Sequence, residues 1–298
     1  MPDKPKRKKN PQDRHPFLEQ MSQLWRNKTA VAGLILVSIF FTAANFAPLI
    51  SPHNPNETSL YDQLKPPVWH DTGTKKNILG TDDLGRDILS RLIYGARVSL
   101  LVSLVSVGLA FLLGTFFGSL AGYYKGKLDS FIMRIMDIIL AFPYLLLAIV
   151  VVAYLGPSLE NAMMAIGITY VPRFARIVRG SVLEECGKDY VTAARSIGAR
   201  DLRIIYLAIL PNCLGPHIVQ TNLYFAAAIL DAAAMSFLGV GAQPPTHEWG
   251  AMIARSRSLI LRASWVMTFP GIAILFAVLG FNLFGDGLRD ALDPRLRD

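Results

Sequence analysis

The chain has 298 residues, 52% of them hydrophobic and only 17% charged, against about 25% charged in soluble domains. Its apolar residues gather into blocks without charge, which excludes an ordinary soluble core and puts membrane spans ahead of any domain count. The net charge of +8 fits nucleic acid, anionic lipid or the inner loops of a membrane protein, and position along the chain decides among these.

Residues 1–28 are basic and polar, unlike the short charged segment of a secretory signal, and are expected to form a cytoplasmic tail. Residues 29–50 hold no charge and are long enough to cross a hydrocarbon core of about 30 Å, giving the first span. The second runs from Val98 to Tyr124, where Gly108, Gly114, Gly118 and Gly122 offer close-packing surfaces to neighbouring helices. Residues 138–155 form the third, with Pro143 tolerated inside it. The fourth is short: twelve uncharged residues separate Glu160 from Arg173, so flanking residues must share the crossing. Residues 210–240 form the fifth despite Asp231, a carboxylate costing about 2.5–3.5 kcal/mol at a helix centre. Residues 263–285 form the last.

Lys and Arg concentrate on the cytoplasmic side of membrane proteins. Six spans with an inner N-terminus place 21 of the 30 Lys and Arg inside, whereas deleting the fourth span leaves 14 inside and 16 outside. Six spans are therefore expected, with both termini cytoplasmic. Residues 51–96 then become an outer segment and residues 97–289 the body of the domain. An inner loop at 178–211 is large enough to meet a partner, and 290–298 is a second inner tail.

Within that loop, two short helices flank Gly198, which lets the chain turn where a side chain would clash. Ala193 and Ala194 are small helix formers that let another surface approach. Pro211 suits the opening turn of the fifth span. The run from Asp189 to Asn212 resembles the cytoplasmic loop of bacterial ABC importer permeases, whose pattern is Glu-Ala-Ala, three residues, Gly, nine residues, Ile, one residue, Leu-Pro. Ala193, Ala194, Gly198, Leu210 and Pro211 match, while Thr192 replaces the Glu and Ala208 the Ile. Three further stretches, Leu79–Arg97, Leu238–Met252 and Asn282–Arg295, resemble the dipeptide, oligopeptide and nickel permeases, closest to the C-type dipeptide subunit.

The resemblance implies an all-α integral membrane protein with the type I ABC importer permease fold, importing dipeptides or short oligopeptides. Nickel or cationic and antimicrobial peptides are the alternative cargo within the family. It implies that Tyr190, Thr192, Ala193, Ala194, Arg195, Gly198, Leu210 and Pro211 belong to an ATPase-coupling loop. The implied partners are a second permease subunit, two ATP-binding subunits and a periplasmic solute-binding protein, with lipid around the spans and no nucleic acid. No Walker-type lysine motif or nucleophile–base pair occurs in the sequence. ATP and Mg are accordingly expected on the partner ATPases, with no cofactor or metal on this chain and no catalysis by it. Cys186 and Cys213 read as inert thiols, and the five histidines show no metal-ligand spacing.

Two further sites are expected. Asp82, Asp83, Arg86, Asp87 and Arg91 stand at helical spacing, so that Asp87 would pair with Arg91, or Asp82, Asp83 and Arg86 would receive the binding protein. Asp231 is either bonded to a neighbouring helix or faces the pathway, where it would meet a peptide's α-ammonium group. Arg173, Arg176 and Arg179 on one helix face read as a headgroup or positive-inside feature. A secondary transporter would need an ion site or inverted repeat, and a membrane enzyme a polar cluster at one depth; the sequence offers neither.

Overall fold

A computed structural model of the chain describes Trp25 and residues 27–292. The two expected tails fall largely outside the described residues. The fold is all-α, as expected, and its main helices are α1 (Lys28–Asn45), α2 (Ile88–Tyr124), α3 (Gly126–Ala141), α4 (Tyr144–Leu155), α5 (Leu159–Glu185), α6 (Asp189–Ser196), α7 (Leu214–Phe237), α8 (Trp249–Arg255) and α9 (Trp265–Leu292). Four of them, α1, α2, α7 and α9, are each long and apolar enough to cross a membrane, and α3 with α4 forms a broken fifth. Helix α5 is less apolar than these, yet its 27 residues run unbroken through Pro172 and pack lengthwise on α2.

The bundle has two ends. Residues 51–87, the 238–264 connection and the start of α2 form a cap end, where Trp265 Nε1 donates to Thr81 O at 3.3 Å and Trp249 Nε1 to Leu92 O at 3.0 Å. The start of α1, the end of α9 and residues 186–213 lie at the opposite, loop end; an added Cβ on Gly287 would meet Ala30 Cβ at 2.2 Å.

Small residues set the central contact. A Cβ on Gly114 would lie 2.4 Å from Phe174 Cβ, on Gly118 2.5 Å from Ala175 O, and on Gly122 2.9 Å from Arg179 O. These three glycines, one turn apart, let the α2 and α5 backbones touch and gain dispersion contact where lipid offers no hydrophobic drive. Gly108, expected to join them, has no neighbour within 4 Å and instead borders an apolar groove of about 690 Å³.

The third expected span is not one helix. Phe142 is extended, at φ −85° and ψ 139°, and α3 and α4 meet at 89°. Pro143 offers no N–H and drives the residue before it out of the helical region, so the chain turns an elbow there.

At the start of α2 the expected helical run of charges is a tight turn. Residues 81 and 87 form an isolated antiparallel bridge, and the helix begins only at Ile88. Asp87 does not pair with Arg91; it caps α2, its Oδ2 accepting from Ser90 N at 2.8 Å and its Oδ1 from Asn77 Nδ2 at 2.9 Å. Asp82 Oδ1 accepts from the amides of Leu84 and Arg86, both at 2.9 Å, and Oδ2 from Arg86 Nε at 2.7 Å.

The 51–87 segment is also pinned by Asp62, whose carboxylate binds Lys65, Ser59 Oγ at 3.0 Å and Lys76 Nζ at 3.4 Å, and whose carbonyl accepts from Thr81 Oγ1. The hydrogen bonds from Lys65 and Ser59 hold the Asp62 carboxyl down at about 2, against an ordinary 3.8. A carboxylate depressed on folding stabilises the folded state above its ordinary pKa, and that contribution is lost as pH falls through 3.8 towards 2. Asp62→Asn should flatten the acid limb of the unfolding curve between pH 4 and about 2; an acid limb identical to the wild type's would contradict this role.

Candidate functional site

Residues 186–213 form a compact hairpin at the loop end. Helix α6 stops at Ser196, Gly198 takes φ +76°, and a turn at Asp201–Arg203 runs into a π-helical stretch, Ile204–Ile209, before Leu210–Cys213 leads into α7. Gly198 is needed for its left-handed backbone, which costs another residue roughly 1–2 kcal/mol. It is not needed for space, since no atom lies within 4 Å of where its Cβ would be. Val191, Ile204, Ile205, Ile209 and Cys213 are buried with Val178 and Val182 of α5, so the inner face of the hairpin is part of the core.

Polar contacts fix this hairpin to two long helices. Tyr123, at the end of α2, donates to Asp201 Oδ1 at 2.7 Å, and the Arg195 guanidinium lies 5.0 Å over its ring. Tyr190 donates to Glu185 Oε2, the last residue of α5, at 2.5 Å; Lys188 pairs with the other oxygen. Burial and the Glu185 carboxylate push the Tyr190 hydroxyl above its usual range, so it remains a donor at neutral pH. Ile197, Leu202 and Leu207 point outward, 85%, 60% and 71% exposed. An anchored hairpin that shows bulky apolar side chains is suited to a protein partner.

Of the residues expected here, Tyr190 and Arg195 hold the hairpin to the bundle. Ala194 packs on its core, Thr192 and Ala193 lie on the exposed side, and Leu210 and Pro211 form the turn into α7. Sequence reading missed Tyr123, Glu185 and Asp201. The five-residue step from Glu185 to Tyr190 was legible; the 78-residue step from Tyr123 to Asp201 was not. The arginine series is also resolved differently. Arg179 makes a two-pronged pair with Asp129 at 2.5 and 2.6 Å, and Arg176 meets Asp137 at 2.6 Å, so two of its members tie α5 to α3.

At the cap end, Asp82 and Arg86 are 4% and 7% exposed and spent on each other, while the Asp83 side chain is 53% exposed. Only Asp83, of the three residues expected to receive a partner, presents a free surface. Asp231 of α7 is buried. Its Oδ2 accepts from Tyr170 Oη of α5 at 2.5 Å and its Oδ1 from Tyr144 Oη of α4 at 3.1 Å. The described residues contain no group of three or more metal-ligating side chains.

This arrangement has relatives. Residues 114–298 match the family described as binding-protein-dependent transport system inner membrane component, and residues 16–67 match the N-terminal TM domain of oligopeptide transport permease C. The chain belongs to this family of ABC importer permeases. It is 51% identical over 282 residues to the dipeptide transport system permease protein DppC of Escherichia coli K12, covering 95% of this chain and 94% of the relative. It is 49% identical over 283 residues to the di/tripeptide transport system permease protein DppC of Pseudomonas aeruginosa, covering 95% and 93%. A chain from an inward-facing structure of the MetNI methionine ABC transporter superposes with a TM-score of 0.58 at 20% identity, covering 69% of this chain and 98% of that one. That likeness speaks to the fold alone.

Proposed function

We propose that this permease moves dipeptides across the bacterial inner membrane as one half of the transmembrane pathway of an ATP-driven importer. The likeness to dipeptide permeases over nearly the whole length of both chains carries this reading. A second, related permease supplies the other half, and two ATP-binding subunits hydrolyse ATP, holding ATP and Mg where this chain holds neither. The exposed Ile197, Leu202 and Leu207 are offered to one ATPase. A periplasmic binding protein delivers peptide at the cap end, where Asp83 is exposed. This orientation puts both termini and the hairpin in the cytoplasm, in accord with the 21 of 30 basic residues on that side. ATP binding shifts the population between inward- and outward-open states by favouring one of them.

The test is growth of an amino-acid auxotroph lacking other peptide uptake and fed one dipeptide. Deleting the gene should abolish growth. Ile197→Asp should do the same while the protein remains in the membrane, because a carboxylate at an exposed apolar contact loses the ATPase without disturbing the fold. Full growth of the deletion strain would move the cargo away from dipeptides. Full growth with Ile197→Asp alone would remove the hairpin from ATPase docking.

A further inference from the structure

The buried carboxylate of Asp231 has a use that the transport reading leaves unassigned. Both its oxygens are taken by hydroxyls, and the two hydroxyls belong to different helices, Tyr170 on α5 and Tyr144 on α4. Among the described residues it forms no salt bridge, and the Arg173 guanidinium sits 5.8 Å over the ring of its partner Tyr144. The site is packed from the other side as well, with Tyr224 of α7 at 4.6 Å from the Tyr170 ring and 5.1 Å from Phe174. A carboxylate without a cation is expensive at membrane depth, and apolar side chains would satisfy packing alone. What a carboxylate adds is two directional bonds, a short one to α5 and a longer one to α4, that link three helices.

The positions of the two tyrosines matter. Tyr144 is the first residue of α4, immediately after the elbow at Phe142–Pro143. Tyr170 stands on α5 about 22 Å from Glu185 at 1.5 Å per residue, and Glu185 is the residue through which Tyr190 of the hairpin grips α5. A displacement of residues 186–213 therefore acts on α5, to which they are bonded, and α5 is joined by one carboxylate to α7 and to α4 just beyond the elbow. We propose that Asp231 is a positioning residue that makes α4, α5 and α7 move as one body when the hairpin is displaced, so that ATP-driven motion reaches the pathway. Its role is linkage and not contact with the peptide. The proposal rests on the permease reading above.

The experiment uses the complete transporter, with both permeases, the ATPases and the binding protein, reconstituted in liposomes and supplied with the dipeptide Ala-Ala. Uptake and ATP hydrolysis are measured together. Tyr170→Phe and Tyr144→Phe keep the packing and remove one bond each. Each should lower Ala-Ala taken up per ATP about tenfold, in the lower part of the range for coupling between sites, while ATP turnover stimulated by the binding protein persists. Adding either change to Asp231→Leu should reduce the ratio no further, because the link is already gone. If both tyrosine variants couple as the wild type does and only Asp231→Asn alters uptake, Asp231 acts on the peptide and the linkage is overturned. If the wild-type transporter shows neither uptake nor peptide-dependent ATP turnover, the dipeptide reading itself falls and the proposal with it.

Discussion

Asp82→Ala destabilises the cap end by about 3–5 kcal/mol, the range for removing one partner of a buried ion pair. The Asp82 carboxylate accepts two backbone amides, bonds Arg86 Nε at 2.7 Å and lies 3.7 Å from Arg91 Nε. Arg86 and Arg91 are 7% and 2% exposed, so neither can turn to water when Asp82 is lost. Arg255 and His247 sit in the same field. Burial and the nearby Arg91, Arg86 and Arg255 hold the His247 imidazole down at about 4, so it stays neutral and adds no further positive charge at neutral pH. With Asp82 gone, positive charge in this cluster is left unbalanced, and the turn before α2 should open. Hydrogen exchange of residues 59–91 in the purified permease would read this directly. Wild-type protection in the variant would mean that Asp83 or solvent carries the charge balance. Asp82→Asn separates the backbone contribution from the ion pair, since its one oxygen still accepts from the amides of Leu84 and Arg86 while the charge and the acceptor for Arg86 Nε are both lost.

Gly118→Leu is the second large effect, and it acts at the centre of the membrane-spanning body. The first added atom alone would stand 2.5 Å from Ala175 O and 2.7 Å from Val178 Cβ. The nearer of these is backbone and cannot rotate away, so α2 and α5 must separate along the line that Gly114 and Gly122 also use. Overpacking costs about 1–3 kcal/mol where side chains can yield, and more where they cannot. The separation would also strain the hairpin, which is bonded to both helices through Tyr123 and Glu185. We expect the variant to insert and then lose its folded form in detergent at a temperature many degrees lower than wild type. Gly108→Leu, at a position with open space beside it, should be far milder. Equal thermal stability of the two variants would show that the α2–α5 contact is not the central one.

Much of the molecule was legible because the bilayer imposes a simple code. Charge-free runs at 29–50, 98–124 and 263–285 have to be spans, since nothing in hydrocarbon compensates an unpaired charge or an open backbone. The expected count of six came from the distribution of Lys and Arg, and is approximately matched by four long apolar helices, the broken pair α3–α4 and α5. The hairpin around Gly198 was legible for a related reason: its spacing is local, and a glycine between two helical runs marks a backbone turn.

What stayed hidden was the set of contacts between residues far apart in the chain. Pro143 announces a break, but the 89° elbow depends on what α4 packs against. The charges at 82–91 satisfy helical spacing equally well as an exposed pair or as a buried turn, and only the approach of the 51–87 segment chooses the turn. Arg176 and Arg179 find Asp137 and Asp129 across 39 and 50 residues, and Asp231 finds Tyr144 and Tyr170 across 87 and 61. Hydropathy and charge are sums over neighbouring residues, so the sequence by itself determined where the long apolar helices lie and where the polar segments between them fall. A hydrogen bond is a distance between two atoms, and which carboxylate meets which hydroxyl was decided only when the helices came together.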